Sequence, residues 1–441
     1  MREITNHDVL EAIKPTNAGT GEETLVYKNL AATVQKFRPS HAARLAELRG
    51  SKKDSLEWLT AARSLAYERL MIIAEKVVNS SVKNRDLWSD RFTAASIEIY
   101  GQPDPEEVAQ LLINEYWLLK QSQIKDNSLR PYVKFLISVY GPIVDGRVSS
   151  LLDEKKTEAE KIAIREYGTA IMNSYRPLFD LVDKSARTEY GSKDLQRLFD
   201  RTLKWLEEHD DKKWSKWATI SVNGTSLSVD AASRKIEIAN HREPASAEDT
   251  RGLIAHELLV HALRAKNGYK TGNTKLATGL VGHIDTEEGL GILAEDAVNG
   301  RLPDRAYDRY VDIALALGSV DGVQRSRKEI FQISFARQLI RGRTGGVLNE
   351  PGVPSLERRV WGHVDRIYRG GKGDSLNARQ AVFTKDIVYY VGYKQMSRYI
   401  TRQLAAGEPV SKVFKYLSRA KFDPMNSLHI EELAKWFDKG L

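Results

Sequence analysis

Two histidines and a glutamate stand together in His256-Glu257-Leu258-Leu259-Val260-His261. Paired imidazoles bind a divalent metal, and a carboxylate beside them can take a proton from the attacking water. The combination therefore suits metal-assisted hydrolysis. The common zinc-peptidase motif places its histidines at i and i+4 on one face of a helix. Here they are at i and i+5. At 3.6 residues per turn, i+4 side chains lie roughly 40° apart around a helix, and i+5 side chains roughly 140° apart. A regular helix could not aim both rings at one ion. The motif thus predicts a locally widened turn near Leu259 or Val260, of the kind a π-bulge provides.

Only nine histidines occur in 441 residues, and composition alone would produce this motif in roughly one chain in a hundred. A lone histidine on an apolar helix is ordinarily a packed core residue. Leu253, Ile254, Leu258, Leu259, Ala262 and Leu263 mark this helix as buried. A charged glutamate there is costly without a compensating partner, which a metal would supply.

Catalytic zinc takes three protein ligands. The third is expected from Asp285-Thr-Glu-Glu-Gly-Leu-Gly-Ile-Leu-Ala-Glu295, with Thr286 capping a helix and Glu287 and Glu288 in its first turn. Zinc peptidases often draw a third ligand from a second helix, just ahead of a glycine and an apolar turn, so Glu288 is preferred over Glu287. Gly289 and Gly291 would let the two helices approach closely. Glu287 and Glu295 are expected behind the ligands, holding the histidines. His283 is the alternative third ligand.

The elements that must position these residues are mostly helical. Leu56, Leu59, Ala62, Leu65, Ala66, Leu70, Ile73, Ala74 and Val77 recur at helical steps, with Ser55 as cap. Further helices are expected over about 106–119, 133–138, 158–183 and 197–208. The texture changes near Ala218. Residues 219–229 alternate apolar and polar around Asn223-Gly224, which reads as a hairpin, and 235–239 reads as another strand. Gly268 is expected to end the histidine helix. Residues 1–50 read as a helical extension, 51–215 as a helical region packing on the core, and 216–441 as the catalytic core.

The chain has no cysteine, so a metal must be held by His, Asp or Glu. The first residues lack the apolar centre of a signal peptide, and no apolar run is long enough for a membrane span. A cytoplasmic location is the default expectation. The net charge of +8 suits an acidic partner. No nucleic-acid motif accompanies it, and the basic residues are spread along the chain.

His-Glu-x-x-x-His followed by Thr286-Glu-Glu-Gly-Leu290 resembles the microtubule-associated tyrosine carboxypeptidase family, which includes bacterial "QEGLA motif" proteins and tyrosine/phenylalanine carboxypeptidase domains. Arg366-Ile-Tyr-Arg-Gly-Gly371 and Phe383-Thr-Lys-Asp-Ile-Val-Tyr-Tyr-Val-Gly392 are similar to that family too, and Ile99-Tyr-Gly-Gln-Pro103 more weakly. Leu-Leu-Val inside the motif and Gly291 depart from the family's usual residues. The resemblance implies a predominantly α-helical α+β fold: a zincin-like metallopeptidase core with a small β-sheet before the metal-binding helix. It implies one zinc per chain on His256, His261 and Glu288, with Glu257 as catalytic base.

The implied reaction removes a C-terminal Tyr or Phe from a peptide or protein tail, in the manner of detyrosination. Glu257 accepts the water's proton and passes it to the leaving amine. Tyr390 is the preferred oxyanion donor, with Tyr389 and Tyr393 also facing the substrate. Arg369 and Lys385 are the expected cations for the terminal carboxylate. The competing reading is a non-catalytic zinc-containing binding or regulatory protein. The intact Glu257 argues against it, since a structural site needs no base.

Overall fold

The computed structural model describes residues 3–22, 24–121, 126–145, 158–223, 227–300, 307–344, 352–371 and 380–437. It is 71% helical with little strand, which makes the fold α+β with α predominant, as expected. The chain forms two compact units. One comprises Met1–Asp153 and Tyr307–Ile387, the other Glu154–Ala306 and Val388–Leu441. Each unit draws on separated stretches of sequence, so the divisions at 50 and 215 read from texture do not coincide with them. Among the described residues, no helix is long and apolar enough to cross a membrane.

In the first unit, the apolar period beginning at Leu56 becomes the helix Leu56–Asn79, capped by Ser55, whose side chain accepts from the Trp58 amide. It packs against the helix Val82–Tyr100. Leu70, Ala74, Val77, Phe92 and Phe383 fill their common core. Three stretches singled out in the sequence meet here. Tyr100 meets Phe383 edge to face with ring centroids 5.3 Å apart, and Thr384 donates its amide to Ser96 at 2.8 Å. Gly370 has φ +77°, and a Cβ there would fall 2.5 Å from the Phe92 ring.

The second unit carries the strands: β1 Glu189–Tyr190, β2 Ala218–Val222, β3 Leu227–Asp230, β4 Lys235–Ala239 and β5 Ala245–Ser246. β1 pairs with β5. The other three form a sheet in the order β2-β4-β3, with β2 parallel and β3 antiparallel to β4. The hairpin expected across Asn223-Gly224 therefore does not form, because β4 lies between its two arms; Gly224 itself falls outside the described residues. Ile236 and Ile238 of β4 are almost fully buried and take the central place. The side chains of β2 are only half-buried or exposed, which suits an edge.

Ser246 caps the helix Ala247–Leu253, its hydroxyl accepting from the Asp249 amide. That helix runs without a break into a π-helix, Ile254–Ala262, and on through Leu263–Lys270. The expected stop at Gly268 is passed. Gly268 instead lets the helix lie against Leu276, whose carbonyl oxygen would be 2.2 Å from an added Cβ. A second helix, Ile284–Val298, packs on the π-helix. It starts ahead of Thr286, which is buried within it rather than capping it.

Candidate metal centre

The π-helix is what the i, i+5 spacing requires. The Leu263 amide bonds to the Leu258 carbonyl, five residues back, and all nine residues of the π-helix are buried. The widened turn brings the two imidazoles to the same side, with ring centroids 4.8 Å apart.

Each imidazole is held from behind by the second helix. His261 donates Nδ1–H to Glu287 Oε1 at 2.7 Å. His256 Nδ1 lies 3.4 Å from Glu295 Oε2. Glu295 packs on Gly252, where an added Cβ would meet its Cγ at 2.6 Å. With both Nδ1 atoms engaged, the two Nε2 atoms remain for a ligand. His261 Nε2 stands 3.9 Å from Glu288 Oε2, and His256 Nε2 lies beside Gly291.

Glu287 and Glu288 are neighbours with different surroundings. Successive helical residues point roughly 100° apart, so one carboxylate meets Nδ1 of His261 and the other meets Nε2. Glu287 also takes Arg264 Nη1 and Lys421 Nζ at 2.8 Å. Burial alone would raise its pKa, but Lys421, Arg264 and His261 outweigh burial and hold it well below the usual range. Arg264 is itself fixed by the carbonyls of Ala420 at 2.9 Å and Phe422 at 2.7 Å. Neither Arg264 nor Lys421 was singled out from the sequence. Arg264 carried a faint signal, three residues after His261; Lys421 carried none.

Glu257 is 7% exposed. Burial raises its pKa, against the opposing pull of His256 and His261. His256 shows the converse. Burial would lower its pKa, but Glu295, Glu257 and Glu288 overcome that and push it up to about 10. The cluster is thus rich in carboxylate and short of positive charge.

That donor set fits a divalent metal. His256, His261 and Glu288 each offer an atom, all within 4.8 Å of one another. Ligands about 2.0–2.2 Å from a tetrahedral zinc stand roughly 3.4 Å apart, close to the 3.9 Å between His261 and Glu288. His283 is not in the cluster; its Nδ1 faces the Leu280 carbonyl at 2.8 Å.

The expected substrate-side residues divide between the units. Tyr389, Tyr390 and Tyr393 lie on the helix Ile387–Ala405. Gly392 of that helix rests on the start of the glutamate helix, where an added Cβ would fall 1.8 Å from the Asp285 carbonyl oxygen. Tyr393 is a core residue, 3% exposed, whereas Tyr389 and Tyr390 are half-buried. Lys394 lies over the Tyr390 ring. Arg369 and Lys385 belong to the first unit. There they and Arg366 and Arg309 surround Asp386, whose pKa burial would raise and these cations bring well down. Arg366 Nε reaches Asp386 at 2.8 Å.

Histidines paired on a widened turn, a carboxylate facing them from a second helix and a buried glutamate between them define a candidate metallohydrolase centre. Residues 161–315 match the family model described as microtubule-associated tyrosine carboxypeptidase. The match takes in His256, Glu257, His261, Glu287, Glu288 and Glu295. The similar stretches at 366–371 and 383–392 lie beyond it. No curated protein and no solved structure matches the chain.

Proposed function

We propose that the protein is a zinc-dependent carboxypeptidase that releases a C-terminal tyrosine or phenylalanine. The observation that carries this reading is the His256, His261 and Glu288 cluster, with the buried Glu257 on the same π-helix as its two histidines, lying within the stretch that matches the carboxypeptidase family. His256, His261 and Glu288 would hold the ion, and Glu287 and Glu295 would orient the two imidazoles through Nδ1. Zinc bound there would lower the pKa of a water and polarise the scissile carbonyl.

Glu257 would accept a proton at its carboxylate from the attacking water as the water oxygen bonds to the scissile carbonyl carbon, and would pass that proton to the amine nitrogen as the C–N bond breaks. Its buried setting raises its proton affinity toward the range where a base can do both. Tyr389 and Tyr390 are the proposed hydroxyl donors to the oxyanion. The net charge of +8 favours an acidic tail as substrate.

The decisive experiment is a peptide library varied at its C-terminus, incubated with zinc-loaded protein and read by mass spectrometry. Loss of a single C-terminal Tyr or Phe is expected. Intact peptides throughout would sink the reading, and internal cuts would make the protein an endopeptidase.

A further inference from the structure

We infer that Lys421 is a positioning residue of the metal centre, holding the Glu287 carboxylate in the orientation that aims His261 Nε2 at the ligand cluster. This role rests on the zinc reading above. It extends the centre to a C-terminal segment beyond residues 161–315, the stretch that matches the family.

Glu287 Oε1 is the shared point. It accepts from His261 Nδ1 at 2.7 Å and from Lys421 Nζ at 2.8 Å. Arg264 holds the other oxygen, Oε2. The terminal torsion of a glutamate is broad, so a carboxylate anchored at one oxygen can swing the other. Anchors on both oxygens fix its plane, and with it the direction of the His261 ring. Lys421 is 6% exposed, and a buried ammonium is costly unless it is paired. A segment that only packed there would be served better by an apolar side chain.

Lys421 reaches Glu287 because its backbone is clamped. Its amide bonds to the Leu276 carbonyl at 2.9 Å, and its carbonyl accepts from the Leu280 amide at 3.0 Å. On either side, the carbonyls of Ala420 and Phe422 accept from Arg264. The far end is latched by His429, which is fully buried. Its Nδ1 accepts from the Asp423 amide at 2.9 Å, and its Nε2 donates to the Val281 carbonyl at 3.0 Å. The segment 420–429 thus bonds to the histidine helix through Arg264 and to the lead-in of the glutamate helix through residues 276–281. It ties together the two elements that carry the ligands.

The test uses the full-length chain as wild type, Lys421→Met, Lys421→Arg and His429→Gln, with and without Glu287→Gln. Zinc affinity is read by competition with a chelator, and ligand geometry by the visible absorption bands of the cobalt(II)-loaded proteins. Lys421→Met is expected to weaken zinc binding about tenfold, the low end for a group acting behind a ligand, and to shift the cobalt bands. Lys421→Arg should restore most of both. In the Glu287→Gln background, Lys421→Met should add less than about twofold, because its effect passes through Glu287. A folded Lys421→Met protein with wild-type affinity and bands overturns the assignment, and so does full additivity with Glu287→Gln. If Lys421→Met does not fold, His429→Gln decides, since it keeps the lysine but unlatches its segment. Weaker zinc binding is expected there, and unchanged affinity overturns the assignment. A wild type that takes up no zinc discards the zinc reading and this role together. Lys421-dependent zinc affinity in a protein that trims no peptide keeps the role and discards only the carboxypeptidase reading.

Discussion

His261 and Glu287 are joined by a 2.7 Å hydrogen bond from Nδ1 to Oε1, and this bond turns Nε2 of the same ring toward Glu288. Carboxylates that hold a metal-binding histidine typically govern affinity by about 10- to 100-fold when removed. Glu287→Gln should therefore weaken zinc binding by that factor in a competitive chelator titration. Unchanged affinity would mean that the Glu287 contact does not orient the ring.

Glu257 has no place among the three proposed ligands, so its loss should separate chemistry from metal binding. Glu257→Gln is expected to retain one zinc per chain by elemental analysis. Peptide trimming should fall by at least about 10²–10⁴-fold, the usual range for a lost general base. A variant that loses its metal along with its activity would place Glu257 in the coordination sphere instead.

His256 has its pKa pushed up to about 10 without a metal, so it carries a proton at pH 7.5. A ligand imidazole must be neutral. Zinc binding at that pH should therefore release about one proton. Calorimetry in buffers of different ionisation enthalpy measures this directly, and a heat independent of buffer would contradict it.

Gly289 lies against the backbone of Gly392, with an added Cβ only 2.1 Å from its carbonyl carbon. No side chain is available there to move aside. Gly289→Ala should cost about 3 kcal/mol or more, the upper part of the range for overpacking, despite alanine's better helix propensity. Urea unfolding monitored by circular dichroism checks it; a stabilised variant would show that the two helices can separate cheaply.

Asp386, in the first unit, offers a pH test of its own. Its folded pKa is depressed below the ordinary 3.8, so the stability it contributes is present above that pH and is lost as pH falls through it. Asp386→Asn also removes the carboxylate shared by the buried Lys385 and the part-exposed Arg366 and Arg309, at about 3 kcal/mol, the low end for a broken buried pair. The gap in urea midpoint between wild type and variant should be widest near neutrality and narrow below about pH 4. A gap independent of pH would show that Asp386 is not charged in the fold.

The widened turn was legible because the i, i+5 spacing of His256 and His261 has few helical solutions. The choice between Glu287 and Glu288 rested only on a weak positional preference, since adjacency in sequence does not say which carboxylate faces which ring nitrogen. The partners of Glu287 were out of reach because Lys421 arrives from more than a hundred residues away. Alternation over 219–229 reported strands correctly, yet it encodes which faces are buried and not which strand lies alongside. The insertion of β4 between β2 and β3 was invisible for that reason.

A π-turn takes up one extra residue while leaving the helix on either side in its original phase. The segment before Ile254 and the segment from Leu263, with Arg264 directed at Glu287, therefore sit as they would in an ordinary helix one residue shorter. Excising a single codon at Leu259 would convert the motif to the common i, i+4 spacing without re-aiming anything downstream. The i, i+4 and i, i+5 histidine spacings thus differ by one residue that the widened turn takes up locally.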